Sequence, residues 1–172
     1  GFLYFNNLNK NFSSLINIKP ISTFESQKYE FYNSLAGETS IHINSKILLD
    51  LFINKIQTTE IIQKAIIESN LIDKDNFVSK EIYQEEVKRI AISIIDKMSS
   101  PSEDEENKKK NQAYWKYNFQ VNDKLKWRNF LKYLEKKANE EIRESLISQF
   151  NTNLDILSNH SEFQLKILIK KL

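Results

Sequence analysis

The chain has 172 residues, 40% hydrophobic and 28% charged, which suffices for one domain with a sizeable core and excludes a disordered segment. A formal net charge of only +2 argues against a dedicated nucleic-acid binder, which concentrates basic residues. Two glycines, Gly1 and Gly37, leave nothing to build a phosphate-cradling loop, and the absence of cysteine excludes thiol catalysis, disulfides and cysteine-ligated zinc.

Phe12 to Ile21 reads as a strand, with Ile16 and Ile18 alternating with Asn17 and Lys19 and with Pro20 marking an edge or an end. Ser22 and Glu25 form a capping-box pattern that opens a helix to about Leu35, with Phe24, Phe31, Tyr32 and Leu35 on one face and Ala36-Gly37 as its stop. Ser45 is the expected cap of the next helix, whose apolar face is read as Leu48, Leu51, Phe52 and Ile56. Thr58 or Thr59 restarts the chain, and Ile62, Ala65 and Ile66 mark another apolar stripe to about Asn70. A further helix is expected within Asp75 to Val87, beginning near Ser79.

Ile90, Ile92 and Ile94 alternate with Ala91 and Ser93, so Arg89 to Ile95 is expected as a strand, the continuation of the preceding helix being the alternative. Ser99 to Asn111 is a polar run in which Glu103 to Glu106 meets Lys108 to Lys110, the pattern of a solvated loop. Tyr114 to Val121 predicts a strand with Trp115, Tyr117, Phe119 and Val121 on one side and Lys116, Asn118 and Gln120 on the other. One-sided sheet packing on a helical layer accounts for this pattern with fewer assumptions than a base-stacking platform.

From Asp123, the expected N-cap, the chain reads as helix to its end, about 75 Å if unbroken at 1.5 Å per residue. Trp127, Leu131, Leu134, Ala138, Ile142, Leu146, Phe150, Leu154 and Leu157 trace one stripe. Their mean spacing of about 3.75 residues exceeds the 3.5 of a left-handed coiled coil. Lys136 with Glu140 and Lys137 with Glu141 are i,i+4 neighbours. Asn151-Thr152-Asn153 and Ser158-Asn159-His160-Ser161 are weak helix formers and candidate points for a kink or break. A compact domain cannot bury so long an element against itself, so the excess must project into solvent or pack on another chain.

Chemical motifs are sparse. His42 and His160 are far apart and neither has a second histidine at i+4, so a metal site would need carboxylates for most of its ligands. The pairs Glu85-Glu86 and Glu140-Glu141 lie beside basic residues and read as solvated helix faces rather than an acid–base pair in a cleft. No G-x-S-x-G elbow occurs, and the Asn-x-Ser triplets at Asn11 and Asn159 are expected by chance in an Asn-rich chain. The reading is therefore of a non-enzyme with no catalytic, cofactor-binding or metal-binding residues. No stretch of 18 apolar residues occurs. The start at Gly-Phe-Leu-Tyr-Phe and the end within an amphipathic run at Leu172 suggest a part cut from a longer protein.

The strand end IKPIS (Ile18 to Ser22 within INIKPIS), the following helices, the aromatic strand YWKYNFQVND and the long helix from Lys124 to Phe150, with Trp127 near its start, carry a resemblance. In order and pattern they resemble the extracytoplasmic domain of the polysaccharide co-polymerases, the Wzz-type chain-length determinants of bacterial surface polysaccharides. The resemblance covers nearly the whole chain but rests on no catalytic signature. The family's Pro/Gly-rich segment near its second membrane helix, the element returning to the membrane, and the tyrosine-kinase module of some relatives are not in this sequence.

The resemblance implies an α+β, predominantly helical fold: a small mixed α/β base, residues 1–123, with a very long C-terminal helix, 124–172, projecting from it as a single extracytoplasmic domain. It implies a parent anchored in the inner membrane by flanking helices, with this domain on the periplasmic face. It implies a homo-oligomer that regulates the chain length of O-antigen or a related polysaccharide, its partners being a membrane polymerase or the nascent glycan. Candidate oligomer-interface residues are Lys136, Lys137, Glu140, Glu141, Arg143 and Glu144. The alternative is a helical adaptor or coiled-coil module that binds a partner protein. A nucleic-acid binder using Trp115, Lys116 and Tyr117 is the third reading, disfavoured by the net charge of +2.

Overall fold

The computed structural model describes residues 11–22, 24–27, 29, 43–99 and 115–171. It has the expected α+β, mostly helical architecture: the elements defined among the described residues are a two-stranded sheet and four α-helices, the C-terminal one by far the longest. The expected continuation of the first helix to Leu35, its stop at Ala36-Gly37, His42, Tyr114 and the polar run from 100 to 111 lie outside the described residues.

Strand β1, Phe12–Ile18, pairs antiparallel with β2, Trp115–Val121, although about a hundred residues separate them. Ile16 stands opposite Tyr117 and Ser14 opposite Phe119. The alternation expected in both strands is present: Tyr117 and Phe119 are buried, while Asn118 and Gln120 on the other face are exposed. Ser13 Oγ donates to Asn118 Oδ1 at 2.9 Å on that solvent side. The strand stops before Pro20, which cannot donate to a ladder. Beyond it the capping box is formed: the Ser22 N–H donates to Glu25 Oε2 at 3.3 Å, and the Glu25 N–H donates to Ser22 Oγ at 3.2 Å. Phe24, expected on an inward face, is 78% exposed.

Helix α1, Ser45–Ile56, begins one residue earlier than expected. Asn44 is its cap, its Oδ1 accepting the Ile47 N–H at 2.9 Å, so Ser45 is the first helical residue and not the cap. The buried face shifts accordingly to Leu49, Ile53 and Ile56. Helix α2, Thr59–Glu68, buries Ile61, Ile62, Ala65 and Ile66. It ends in a Schellman turn: Leu71 N–H donates to Ile66 O at 3.0 Å and Asn70 N–H to Ile67 O at 3.1 Å. Asn70 adopts φ 51°, which a small polar side chain tolerates better than a branched one.

Helix α3, Lys80–Met98, is capped by Ser79, whose Oγ accepts the Ile82 N–H at 3.3 Å. It runs straight through Arg89 to Ile95, so the expected strand there is corrected to helix. The side chains explain why. Tyr83, Val87, Ala91, Ile94 and Met98 follow helical spacing and are all buried, whereas Ile92 is 45% exposed. The three alternating isoleucines do not share one buried side.

Helix α4, Lys124–Lys171, has 48 residues, about 72 Å at 1.5 Å per residue. Asp123 caps it as expected, Oδ1 accepting the N–H groups of Leu125 at 2.8 Å and Lys126 at 3.0 Å. No break occurs at Asn151–Asn153 or Ser158–Ser161. The hydroxyls of Thr152 and Ser161 bond back to the carbonyls of Ser148 and Leu157, each at 2.9 Å, within the helix.

One core unites these elements. Ile56, Ile62, Ala65 and Ile66 from α1 and α2, Ala91 from α3, Tyr117 and Phe119 from β2, and Trp127, Phe130, Leu134 and Ala138 from α4 belong to a single buried cluster. Trp127 anchors the start of α4: its ring lies 5.1 Å from that of Phe119 and 4.9 Å from that of Phe130, and its indole N–H donates to Ser14 Oγ at 2.8 Å. The first half of α4 is thus the spine of the body rather than a projection from it. Ile142 is the last buried residue of the helix among the described side chains.

Candidate interface along the long helix

Beyond Ile142 the apolar side chains of the helix become progressively more exposed. Leu146 and Phe150 remain half-buried, but Ile147, Leu154, Ile156, Phe163 and Leu165 are between 43% and 62% exposed. The expected stripe therefore has two parts. Trp127 to Ile142 faces the chain's own body, and Leu154 and Leu157, at 43% and 41%, face solvent.

The six charged interface candidates separate in the same way. Lys136 and Glu140 approach to 3.8 Å on the outer surface. Lys137 pairs with Glu140 at 3.7 Å, one residue nearer than the Glu141 expected for it. Glu141 is instead held by the body, accepting from Lys55 Nζ of α1 at 3.2 Å. Arg143 and Glu144 are exposed. Glu141 is thus committed within the subunit, and Lys136, Glu140, Arg143 and Glu144 form the mixed-charge surface that another chain could meet.

Beside this surface an open groove of about 1050 Å³ runs between the end of β1, helix α1 and the flank of α4. Ile18, Pro20, Phe52, Leu146 and Phe150 give it an apolar lining, with Glu135 and Arg143 also on it. No local sequence pattern signals this space, because it forms where the end of β1 meets α4, more than a hundred residues later.

Ionisable groups elsewhere do not converge. Among the described residues no group of three or more His, Cys, Asp or Glu side chains is placed to hold a metal ion. His160 is exposed, its Nε2 lying 2.9 Å from the Gln164 amide. Arg89 holds the Glu86 carboxyl below its ordinary range through hydrogen bonds, and Lys64 does the same for Glu60. Both are pairs within one helix, and Glu86 belongs to the Glu85-Glu86 pair read from the sequence as a solvated face. The exception is Tyr117. It is 2% exposed, and burial pushes its hydroxyl up to about 12, with Gln57 pulling weakly the other way. The Gln57 amide donates to the Met98 carbonyl oxygen at 3.1 Å, and the Tyr117 hydroxyl is left without a hydrogen-bond partner among the described residues.

No helix among the described residues is long and apolar enough to cross a membrane. Comparison with known protein families, with curated proteins and with solved structures finds no match for this chain.

Proposed function

We propose that this chain is a non-catalytic, self-associating scaffold that regulates the chain length of a bacterial surface polysaccharide. The observation that supports the reading is the division of α4. Its first half is bound into the body down to Ile142, and its second half carries large apolar residues that stand exposed, Ile156, Phe163 and Leu165 at 60–62%. A helix that outgrows its body in this way is stabilised by packing on other chains. The resemblance in element order to the polysaccharide co-polymerases supplies the polymer and the place: the periplasmic face of the inner membrane, beside a polymerase or its nascent glycan.

The test is the glycan itself. The parent gene is expressed in a bacterium whose own chain-length determinant is deleted, and its surface polysaccharide is separated by size. Restoration of a modal length supports the proposal; an unregulated ladder identical to that of the deletion strain removes it.

The second reading is a helical adaptor that docks a partner protein, and the apolar groove beside α4 favours it. It predicts a parent sequence without two flanking apolar runs of about twenty residues.

A further inference from the structure

The part of α4 that lies along the body concentrates charge of one sign. The fourteen residues from Lys124 to Lys137 hold six cations and a single acid, Glu135, a local charge of +5 in a chain of net +2. Leu125 and Arg143 are eighteen residues apart, five turns at 3.6 residues per turn, so they stand on one line along the helix. At about 100° per residue, Lys132 and Lys136 lie about 20° to either side of that line and Asn129 and Asn139 about 40°. All six residues are exposed, so the line is the outward face of the helix. Arg128, also exposed, widens the strip at about 60°. Between Leu125 and Arg143 no acid lies within about 40° of the line. Glu140 and Glu135 border it at about 60° and 80° on opposite sides. Glu140 is engaged there, with Lys136 at 3.8 Å and Lys137 at 3.7 Å.

Charges that fasten α4 to the body are paired. Lys126 meets Asp73 at 2.7 Å, and Glu141 meets Lys55 at 3.2 Å. The outward cations are treated differently: among the described residues Arg128, Lys132 and Arg143 have no acid partner. Arg128, Lys132 and Lys136 also follow one another at i,i+4, a spacing at which like charges oppose the helix. The strip therefore works against its own element, and an anion laid along it reverses that sign. From Arg128 to Arg143 it is about 22 Å long, which suits an extended chain of charges rather than a single ion.

We infer that this outward strip of α4, with Arg128, Lys132, Lys136 and Arg143 as its cations, binds an acidic glycan. The inference rests on the polysaccharide reading above and names the chemical class of the polymer. The lysines and arginines make charge-assisted hydrogen bonds to the anionic groups of the sugars. The amides of Asn129 and Asn139, interleaved with them, both donate and accept, as contact with sugar hydroxyls requires. A nucleic-acid strand fits less well. It needs exposed aromatic faces on which bases stack, and Tyr117, Trp127 and Phe130 are between 1% and 7% exposed in the core. A lipid surface fits less well too, since Leu125, at one end, is the only large apolar side chain on the strip's central line to set beside the cations.

The test is affinity electrophoresis and calorimetry of the full chain with size-defined oligogalacturonate, a carboxylated glycan, against neutral dextran. The expected result is binding to oligogalacturonate that weakens as salt is added, and none to dextran. Lys132→Glu/Arg143→Glu should weaken that binding by about tenfold or more, while Lys132→Arg/Arg143→Lys retains most of it. Both positions are exposed, so unchanged tryptophan fluorescence and urea midpoint show that the body is intact. Absence of binding to oligogalacturonate, equal binding to dextran, or a charge-reversed variant that binds as well as the wild type overturns the inference. Tighter binding at the same salt to a single-stranded oligonucleotide or to phosphatidylglycerol vesicles overturns it as well, by giving the strip to another partner. Because these readings are taken on the purified chain, they are distinct from the glycan-length assay. An unregulated ladder alongside intact oligogalacturonate binding removes the length-control reading and leaves the glycan-binding strip standing.

Discussion

Tyr117→Phe tests whether the body carries a real internal cost. The tyrosine ring belongs to the core, 2% exposed, and its hydroxyl has no hydrogen-bond partner among the described residues. An unsatisfied buried hydroxyl costs about 1–3 kcal/mol, so its removal should stabilise the protein by about 1 kcal/mol at pH 7. That is about 2–4 °C in melting temperature for a chain of this size. The effect should grow in alkali. The folded value of about 12 exceeds the ordinary value of 10.0, so the unfolded chain loses this proton first. Between those values the unfolded state binds fewer protons than the native state, and stability falls as pH rises. At pH 11 the one-proton linkage amounts to about 1.4 kcal/mol, which the phenylalanine variant escapes. Urea denaturation at pH 7 and pH 11, read by tryptophan fluorescence, measures both legs, and the difference between wild type and variant isolates Tyr117 from the other tyrosines. A variant destabilised by 1 kcal/mol or more at pH 7, or a difference that does not widen by pH 11, would refute the reasoning.

Two further substitutions probe how α4 is fixed to the body. Ser14→Ala removes the acceptor of the Trp127 indole N–H across 2.8 Å and should cost about 1–3 kcal/mol by urea denaturation, since the buried indole is left unpaired. The Lys55–Glu141 pair, with side chains 37% and 26% exposed, should show a coupling of about 0.2–1 kcal/mol in a double-mutant cycle, shrinking in high salt.

What could be read from the sequence follows from how local each signal is. Asp123, Ser79 and the Ser22–Glu25 box act on their own backbone within three residues, and all three appear where expected. Asn44 displaced Ser45 as a cap because two adjacent cap-competent residues differ only in which backbone enters the helix first. The alternation at Ile90, Ile92 and Ile94 suits a strand and a helix equally over so short a run. Tertiary context decides it: β2 pairs with β1, and Ala91 at 0% exposure lets α3 lie close against the core. The β1–β2 pairing and the groove beside α4 depend on segments about a hundred residues apart, which no local pattern encodes. The charged candidates were visible as charges, but the commitment of Glu141 to Lys55 depends on how α1 docks.

The distal helix shows the same division between local and non-local cause. Ser145, Ser148, Asn151, Thr152, Asn153, Ser158, Asn159 and Ser161 are eight weak helix formers within seventeen residues. At about 0.5 kcal/mol each relative to alanine they oppose the helix by about 4 kcal/mol, more than the few i,i+4 pairs in the segment return. Isolated helices of this length are marginal even with favourable residues. The helicity of residues 144–168 should therefore come from packing between chains and depend on concentration. A peptide of that segment should be mostly coil in dilute solution by circular dichroism and gain helix as it is concentrated. Helicity that is high and independent of concentration would mean that the segment holds itself without a second chain.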